Sequence, residues 1–141
     1  MSKIWVNVEG AIYKDGKWLM IERSKKESHA SGTISMVGGT LEFTKDMQNS
    51  LEENLKREIM EEVGIEIEDD MGYVESKTFT TDSDQEVLDV VFLCKYKSGE
   101  AKVKSDEVAN VFWLTTEEIM THPNTPPWIK QSIELANKLL Q

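Results

Sequence analysis

The stretch from Ser50 to Ile65, SLEENLKREIMEEVGI, constrains the fold most, because it admits one helix and one way of turning that helix toward a core. Leu51, Leu55, Ile59 and Val63 recur every fourth residue and line up as a narrow apolar stripe. Ser50 with Glu53 three residues on reads as a capping box and predicts a helix starting at Leu51. Gly64 supplies the left-handed residue that ends it. The acids are placed against the usual rules. At about 100° per residue, Glu62 projects within roughly 20° of Leu55, and Glu58 lies on the edge of the stripe. Glu61 and Glu62 also stand in the last turn, where the macrodipole disfavours negative charge. Glu58, Glu61 and Glu62 share i, i+3 and i+4 spacing and can converge, with Arg57 placed to pair with Glu61. A carboxylate inside an apolar stripe needs compensation, and one arginine cannot neutralise three. A hard divalent cation can, since Mg²⁺ binds through one or two carboxylates, keeps several waters and takes further oxygens from a phosphate. A solvated acidic face with a chance cluster would suffice for a bare E-x-x-E-E. The preceding Gly38-Gly39, Arg57 and the closing Gly64 favour the metal reading.

Around this helix the chain reads mostly as strands. Ile4, Val6 and Val8 alternate through a strand from Ile4 to Tyr13, and Lys14-Asp15-Gly16-Lys17 turns it into a second, Trp18 to Glu22. Arg23 to Gly32 is a polar loop, and Thr33 to Val37 a short strand delivering Gly38 and Gly39. Short strands follow at Ile65 to Ile67 and Tyr73 to Thr80. Val87 to Tyr96 is the most apolar run, too short and too β-branched for a helix, hence a central strand. Val108 to Leu114 leads to a helix that Thr115 and Glu118 cap as a box. Thr121 to Trp128 holds all three prolines and is a stiff loop. Ile129, Ile133, Ala136 and Leu140 mark a terminal amphipathic helix. Strands interleaved with helices require an α+β arrangement, a mixed sheet packed between helices as an α/β/α sandwich.

The 141 residues are one domain's worth. No apolar run approaches the ~20 residues of a membrane span. A net charge of -10 argues against a nucleic-acid polymer or an anionic membrane as partner. It also means that a phosphate ligand would need positive charge brought in as metal. The polar start MSKIWVNVEG lacks the apolar core of a signal peptide, and the lone Cys94 in VVFLCKY can form no internal disulfide. Both point to the cytoplasm.

Arg57, Glu58, Ile59, Met60, Glu61, Glu62, Val63, Gly64 and Ile65 match the R-E-U-x-E-E-x-G-U half of the Nudix box at every position, U being a bulky aliphatic. The chain resembles the Nudix hydrolases of the MutT-like branch, and its element order is similar over nearly the whole length. The first half of the box departs. Gly39 to Arg57 is four residues longer than the family spacing, and the first box glutamate falls on Asn49 or Lys45 depending on register, while Glu42 keeps the G-G-x-x-E start.

The resemblance implies Mg²⁺ or Mn²⁺ held by Glu58 and Glu62 with Glu61 as ligand or base, Arg57 orienting the glutamates, and Gly38 and Gly39 letting backbone approach metal and phosphate. It implies a small-molecule nucleotide as substrate and admits a homodimer. Arg23, with its planar fork of donors, suits a phosphate or purine edge, and His29 lies in the loop beyond it; the alternative for Arg23 is a solvated loop arginine. Asn124 falls near a base-reading position but also suits a turn, and Trp128 is placed either to stack on a base or to anchor the terminal helix. Because Asn49 carries no charge, a further metal-linked acid is expected from outside the box. Glu107 is the candidate and Glu86 the runner-up, each with a solvated turn as the alternative. The implied activity is cleavage of a phosphoanhydride in a nucleoside diphosphate derivative, with a nucleoside triphosphate foremost. ADP-ribose or nucleotide-sugar hydrolysis, and a nucleotide sensor without turnover, are the alternatives.

Overall fold

The computed structural model describes residues 3–25 and 32–141. In chain order the elements are β1 (Ile4–Lys14), β2 (Lys17–Arg23), β3 (Ile34–Ser35), β4 (Val37–Thr40), α1 (Ser50–Val63), β5 (Glu66–Ile67), β6 (Gly72–Thr80), β7 (Glu86–Ser98), β8 (Val108–Leu114), α2 (Thr116–Thr121) and α3 (Pro127–Leu139). The strands form a mixed sheet. β1 runs parallel to β7 in register from Ile4 opposite Glu86 to Tyr13 opposite Lys95, and the other pairings among the described residues are antiparallel. A parallel pair has both faces covered, and this one does. α1 lies on one face over Val8, Ile12, Leu19, Val90 and Cys94, with Leu55, Ile59 and Val63 fully buried. α2 and α3 lie on the other, where Ile119, Ile129, Ile133 and Ala136 cover Ala11, Trp18, Met20 and Val91. The two periodicities of a strand thus feed two cores, giving the expected α/β/α sandwich.

One irregularity of the sheet creates the space for a site. β1 pairs with β2 only beside their turn, at Tyr13–Trp18 and Lys14–Lys17, and then the strands part. The turn is tight because Asp15 and Gly16 both take positive φ, 50° and 81°, as a type I′ hairpin requires. Past the fork, β4 takes the place beside β1, from Asn7–Thr40 to Gly10–Val37, while β2 pairs with β8 and β3. The cleft between these branches is lined from both sandwich halves.

Four local expectations are corrected. The Ser50–Glu53 capping box does not form. The chain enters α1 through left-handed Asp46 and Asn49, φ 61° and 55°, so the N-cap lacks the extended backbone a box needs. The Ser50 hydroxyl instead donates to the Met47 carbonyl at 3.0 Å, Glu53 turns toward Lys56 at 3.5 Å, and the helix begins at Ser50. The strand expected at Thr33 to Val37 is split at Met36, so the glycine pair lies within β4 rather than after it. Arg23 closes β2 rather than opening the loop. The loop expected from Thr121 to Trp128 is shorter, because Thr121 closes α2 and Pro127, suited to a first helical turn, opens α3. Elsewhere the expected elements form, including the Thr115–Glu118 box and the Gly64 cap, φ 75°.

Gly38 is where β4 can least tolerate a side chain: a Cβ there would collide with the Val8 carbonyl oxygen and lie 2.8 Å from the Glu9 Cα. Gly38→Ala is expected to lower unfolding stability in urea by about 2 kcal/mol or more. Gly72→Ala, where the nearest atom is Leu93 Cβ at 3.7 Å, should cost less than half as much.

Candidate active site

The helix carries its acids to the mouth of the fork. Glu58 is pressed against the glycine pair so closely that a Cβ on Gly39 would lie 2.6 Å from its carboxyl carbon. Glycine is required there to let a carboxylate meet backbone. Arg57 gathers the surrounding groups: its Nη1 lies 3.1 Å from Glu61 and 3.6 Å from Glu42, and its Nη2 lies 3.2 Å from Glu58 and donates to Asn54 Oδ1 at 3.0 Å. Asn54 is buried inside the first turns of α1. Its Nδ2 donates to the Ser50 carbonyl at 2.8 Å, and its Oδ1 also accepts the Glu42 N–H at 3.0 Å, so it ties the lengthened loop to the helix and to Arg57.

Glu62 is 5 % exposed, and its Oε2 has no hydrogen-bond donor among the described residues. Burial, then a hydrogen bond with Glu107, then the charges of Glu58 and Glu107 push its carboxyl up to about 9. Glu58 is raised as well, mainly by burial, against the lowering effect of Arg57. The segment after β7 creates this arrangement. Lys102 and Lys104 donate their N–H groups to the carbonyls of Val63 and Glu62, satisfying the end of α1, and the same segment carries Glu107 in beside Glu62.

A cavity of about 890 Å³ occupies the fork, lined among others by Arg23, Gly38, Gly39, Arg57, Glu58, Glu61, Glu62, Glu107 and Trp128. Nine of the residues singled out in the sequence are therefore brought together. Asn124 is not: it is exposed and absent from the lining, and its carbonyl accepts the Ile34 N–H at 2.9 Å, which fastens β3. Glu86 is exposed at the start of β7, outside the lining. His29 lies outside the described residues. The sequence reading missed Glu9 on β1 and Asp89 on β7, both in the cavity wall. Their signal was available, since each is an acid set inside an apolar strand.

These groups suit a hard cation with few protein ligands. All are oxygen donors, one buried carboxylate oxygen awaits a partner, and the glycine cradle keeps backbone close. Among the described residues no three acidic, histidine or cysteine side chains form a ready cage, so water and substrate phosphate would complete the coordination.

The model of the NUDIX domain matches residues 5–136. The chain belongs to the NUDIX family, and it is a hydrolase of the kind that acts on pyrophosphate bonds. Among solved structures it is similar to a MutT NUDIX hydrolase from Burkholderia pseudomallei, at 22% identity and TM-score 0.80, over 95% of this chain and 98% of that one. It is similar to a MutT protein from Methanosarcina mazei Go1, at 21% identity and TM-score 0.79, over 99% and 97%. The NUDIX domain of Shewanella oneidensis NrtR, solved with ADP ribose, aligns at 17% identity and TM-score 0.74, over 100% and 90%. Among curated proteins no relative matches significantly by sequence.

The buried Glu62 has a consequence for stability. The folded chain keeps its proton up to about pH 9, whereas the unfolded chain releases it near the ordinary value of 4.5. Between these limits the unfolded state binds fewer protons, so raising the pH destabilises the fold. With chelator present, the melting temperature is expected to fall across this window, and Glu62→Gln should flatten the fall. An unchanged slope in Glu62→Gln would show that Glu62 ionises freely in the folded chain.

Proposed function

We propose that the chain is a Mg²⁺- or Mn²⁺-dependent pyrophosphohydrolase that cleaves the phosphoanhydride of a nucleoside diphosphate derivative, a nucleoside triphosphate first among them. The observation that carries this reading is the single cavity with two unlike ends: Gly39, Glu58, Glu62 and Glu107 at one, Trp128 and Phe79 at the other, and Arg23 in the lining with them. A phosphate chain belongs at the first end and a flat heterocycle at the second.

Glu58, Glu62 and Glu107 would hold the metal, with the Gly39 backbone beside them. A bound divalent ion supplies charge to polarise the phosphate and to lower the pKa of a coordinated water. The chain's own groups do the rest. Arg57 keeps Glu58 and Glu61 in place through its paired donors, and Glu61, more exposed than Glu58, stands ready to accept a proton from the attacking water. Arg23 would neutralise a substrate phosphate oxygen. Burial of Glu62 excludes water from the metal side, which strengthens each of these interactions. The buried Cys94, its thiol pushed up to about 12 by burial, has no part in the chemistry and fits a reducing cytoplasm.

The NrtR domain solved with ADP ribose motivates including sugar-linked nucleoside diphosphates beside the triphosphates. The test is chromatographic detection of the nucleoside monophosphate and its co-product (pyrophosphate, ribose 5-phosphate, a sugar phosphate or the remaining nucleotide) from deoxynucleoside triphosphates, ADP-ribose, nucleotide sugars and dinucleoside polyphosphates, with Mg²⁺ and Mn²⁺ up to alkaline pH. Turnover of at least one substrate that stops with chelator is expected. Tight binding without turnover anywhere would replace catalysis with nucleotide sensing.

Two substitutions examine the metal end. Glu62→Gln is expected to lower kcat by about a hundredfold or more, while Glu53→Gln, paired with Lys56 on the exposed side, leaves it unchanged. Glu107→Gln should raise the Mn²⁺ concentration for half-maximal rate by about tenfold or more, and Glu86→Gln should not. Identical Mn²⁺ curves for Glu107→Gln and the unaltered protein would remove Glu107 from the metal site.

A further inference from the structure

The end of the cavity away from α1 carries an acid pair that the chemistry above does not use. Glu9 and Asp89 sit on adjacent parallel strands, two positions before Ala11 and Val91, and so face the α3 side with them. Asp89 is 1 % exposed and lies level with Asn7 of β1 and Lys77 of β6. Among the described residues, neither of its oxygens accepts a bond from an ordinary N–H or O–H donor. Its neighbour is Glu9, within hydrogen-bonding reach. Burial raises both carboxyl groups, and two carboxylates cannot bond to one another, so the pair keeps a proton through which one donates to the other.

Burial first, then the Asp89 charge, raise Glu9 well above the ordinary carboxylate range. Asp89 is raised by burial too, but the bond from Glu9 and the charge of Lys77 oppose this, so Glu9 is the more strongly raised of the two. The charged groups around the pair are Lys77, Arg23 and Glu75. Lys77 is committed to the first turns of α3, donating to Ser132 Oγ at 3.0 Å and the Trp128 carbonyl at 3.4 Å, with Glu75 at 3.9 Å. A protonated Glu9 that donates to Asp89 keeps its other oxygen as an acceptor, and Glu9 is the half-buried member of the pair, in the cavity wall. Trp128, 49 % exposed, and Phe79 line the same cavity as flat apolar surfaces. Asp89 and Glu75 balance Lys77 and Arg23, so this end offers a phosphate no net positive charge, while a planar ring bearing N–H donors meets an acceptor.

We propose that Glu9, held in place by Asp89, is the hydrogen-bond acceptor that selects the base of the substrate, and that the selected base carries an N–H donor on its ring edge, as guanine and adenine do and unsubstituted purine does not. This rests on the nucleotide reading above. Glu9 is then a specificity-determining residue and Asp89 a positioning residue behind it.

The test compares calorimetric dissociation constants of the 5′-diphosphates of guanosine, adenosine and unsubstituted purine riboside, whose rings stack alike and differ in donors. The unaltered protein is expected to bind the better of the first two about tenfold or more tighter than the third, because a site built to accept an N–H rejects the analogue lacking it. Glu9→Gln should keep that ratio, since a carboxamide offers the same donor and acceptor as a protonated carboxyl; Glu9→Leu should bring it near one. A ratio near one in the unaltered protein, or an undiminished ratio in Glu9→Leu, overturns the proposal, as does equal loss in Glu9→Gln and Glu9→Leu. Should Glu9→Leu fail to fold, the unaltered protein and Glu9→Gln still decide the matter. Hydrolysis of the corresponding triphosphates separates this from the reading it rests on. Turnover without base discrimination leaves the hydrolase standing and the base selector overturned, and discrimination in binding with no turnover does the reverse.

Discussion

The parallel pairing of β1 with β7 is the constraint from which the rest follows. A parallel pair cannot be closed by a hairpin, and its two faces must both be covered. The chain between these strands therefore has to leave the sheet, and it does so as α1, while the chain after β7 returns to supply α2 and α3 for the opposite face. The pairing also fixes parity. Val8, Ile12, Val90 and Cys94 meet α1, and Glu9, Ala11, Asp89 and Val91 look the other way. A shift of one residue in either strand would send an acid into the core beneath α1.

The site depends on the sheet failing to stay regular. Were β2 to follow β1 along its length, no fork would open and α1 would have continuous sheet beneath its acids. Because β4 intervenes with two glycines, backbone instead of side chain meets Glu58, and the helix comes close enough for its carboxylates to enter the fork. The loop before α1, longer than the family spacing, does not disturb this. Asn54 and Arg57 anchor it through Glu42, and Lys45 and Asn49, the two positions where the first box glutamate would fall, stay exposed outside the cavity.

Local chemistry made much of this legible in the sequence. The alternation in β1, the Asp-Gly turn, the apolar run of β7 and the stripe of α1 each state their structure within a few residues, and the R-E-x-x-E-E spacing states the acid cluster. What was not legible depends on long-range placement. The Ser50–Glu53 box was outcompeted by a loop whose left-handed residues do not advertise themselves. Asn124 lay at a suggestive distance along the chain, yet its role in the fold is to hold β3 by its carbonyl, which no side-chain pattern reveals. Glu9 and Asp89 could be seen individually as acids within apolar strands. That they face one another needs the parallel register, and sequence periodicity does not give strand order.

The two acidic ends of the cavity raise the same electrostatic problem and answer it differently. At the α1 end, Glu58, Glu61, Glu62 and Glu107 exceed what Arg57 can neutralise, and groups so placed are suited to a cation that arrives with a phosphate. At the β1–β7 end, two carboxyl groups share a proton with Lys77 near, and the pair has less need of an ion. A cation would therefore be drawn to the first end and not the second, and a phosphate chain would follow it. On the nucleotide reading this difference alone orients the substrate, metal and phosphates toward α1 and the base toward β7, before any shape complementarity is considered. On the same reading a chain of net charge -10 would handle an anion because the repulsion that its surface imposes would be lifted locally, at the end where its carboxylates can be answered by metal.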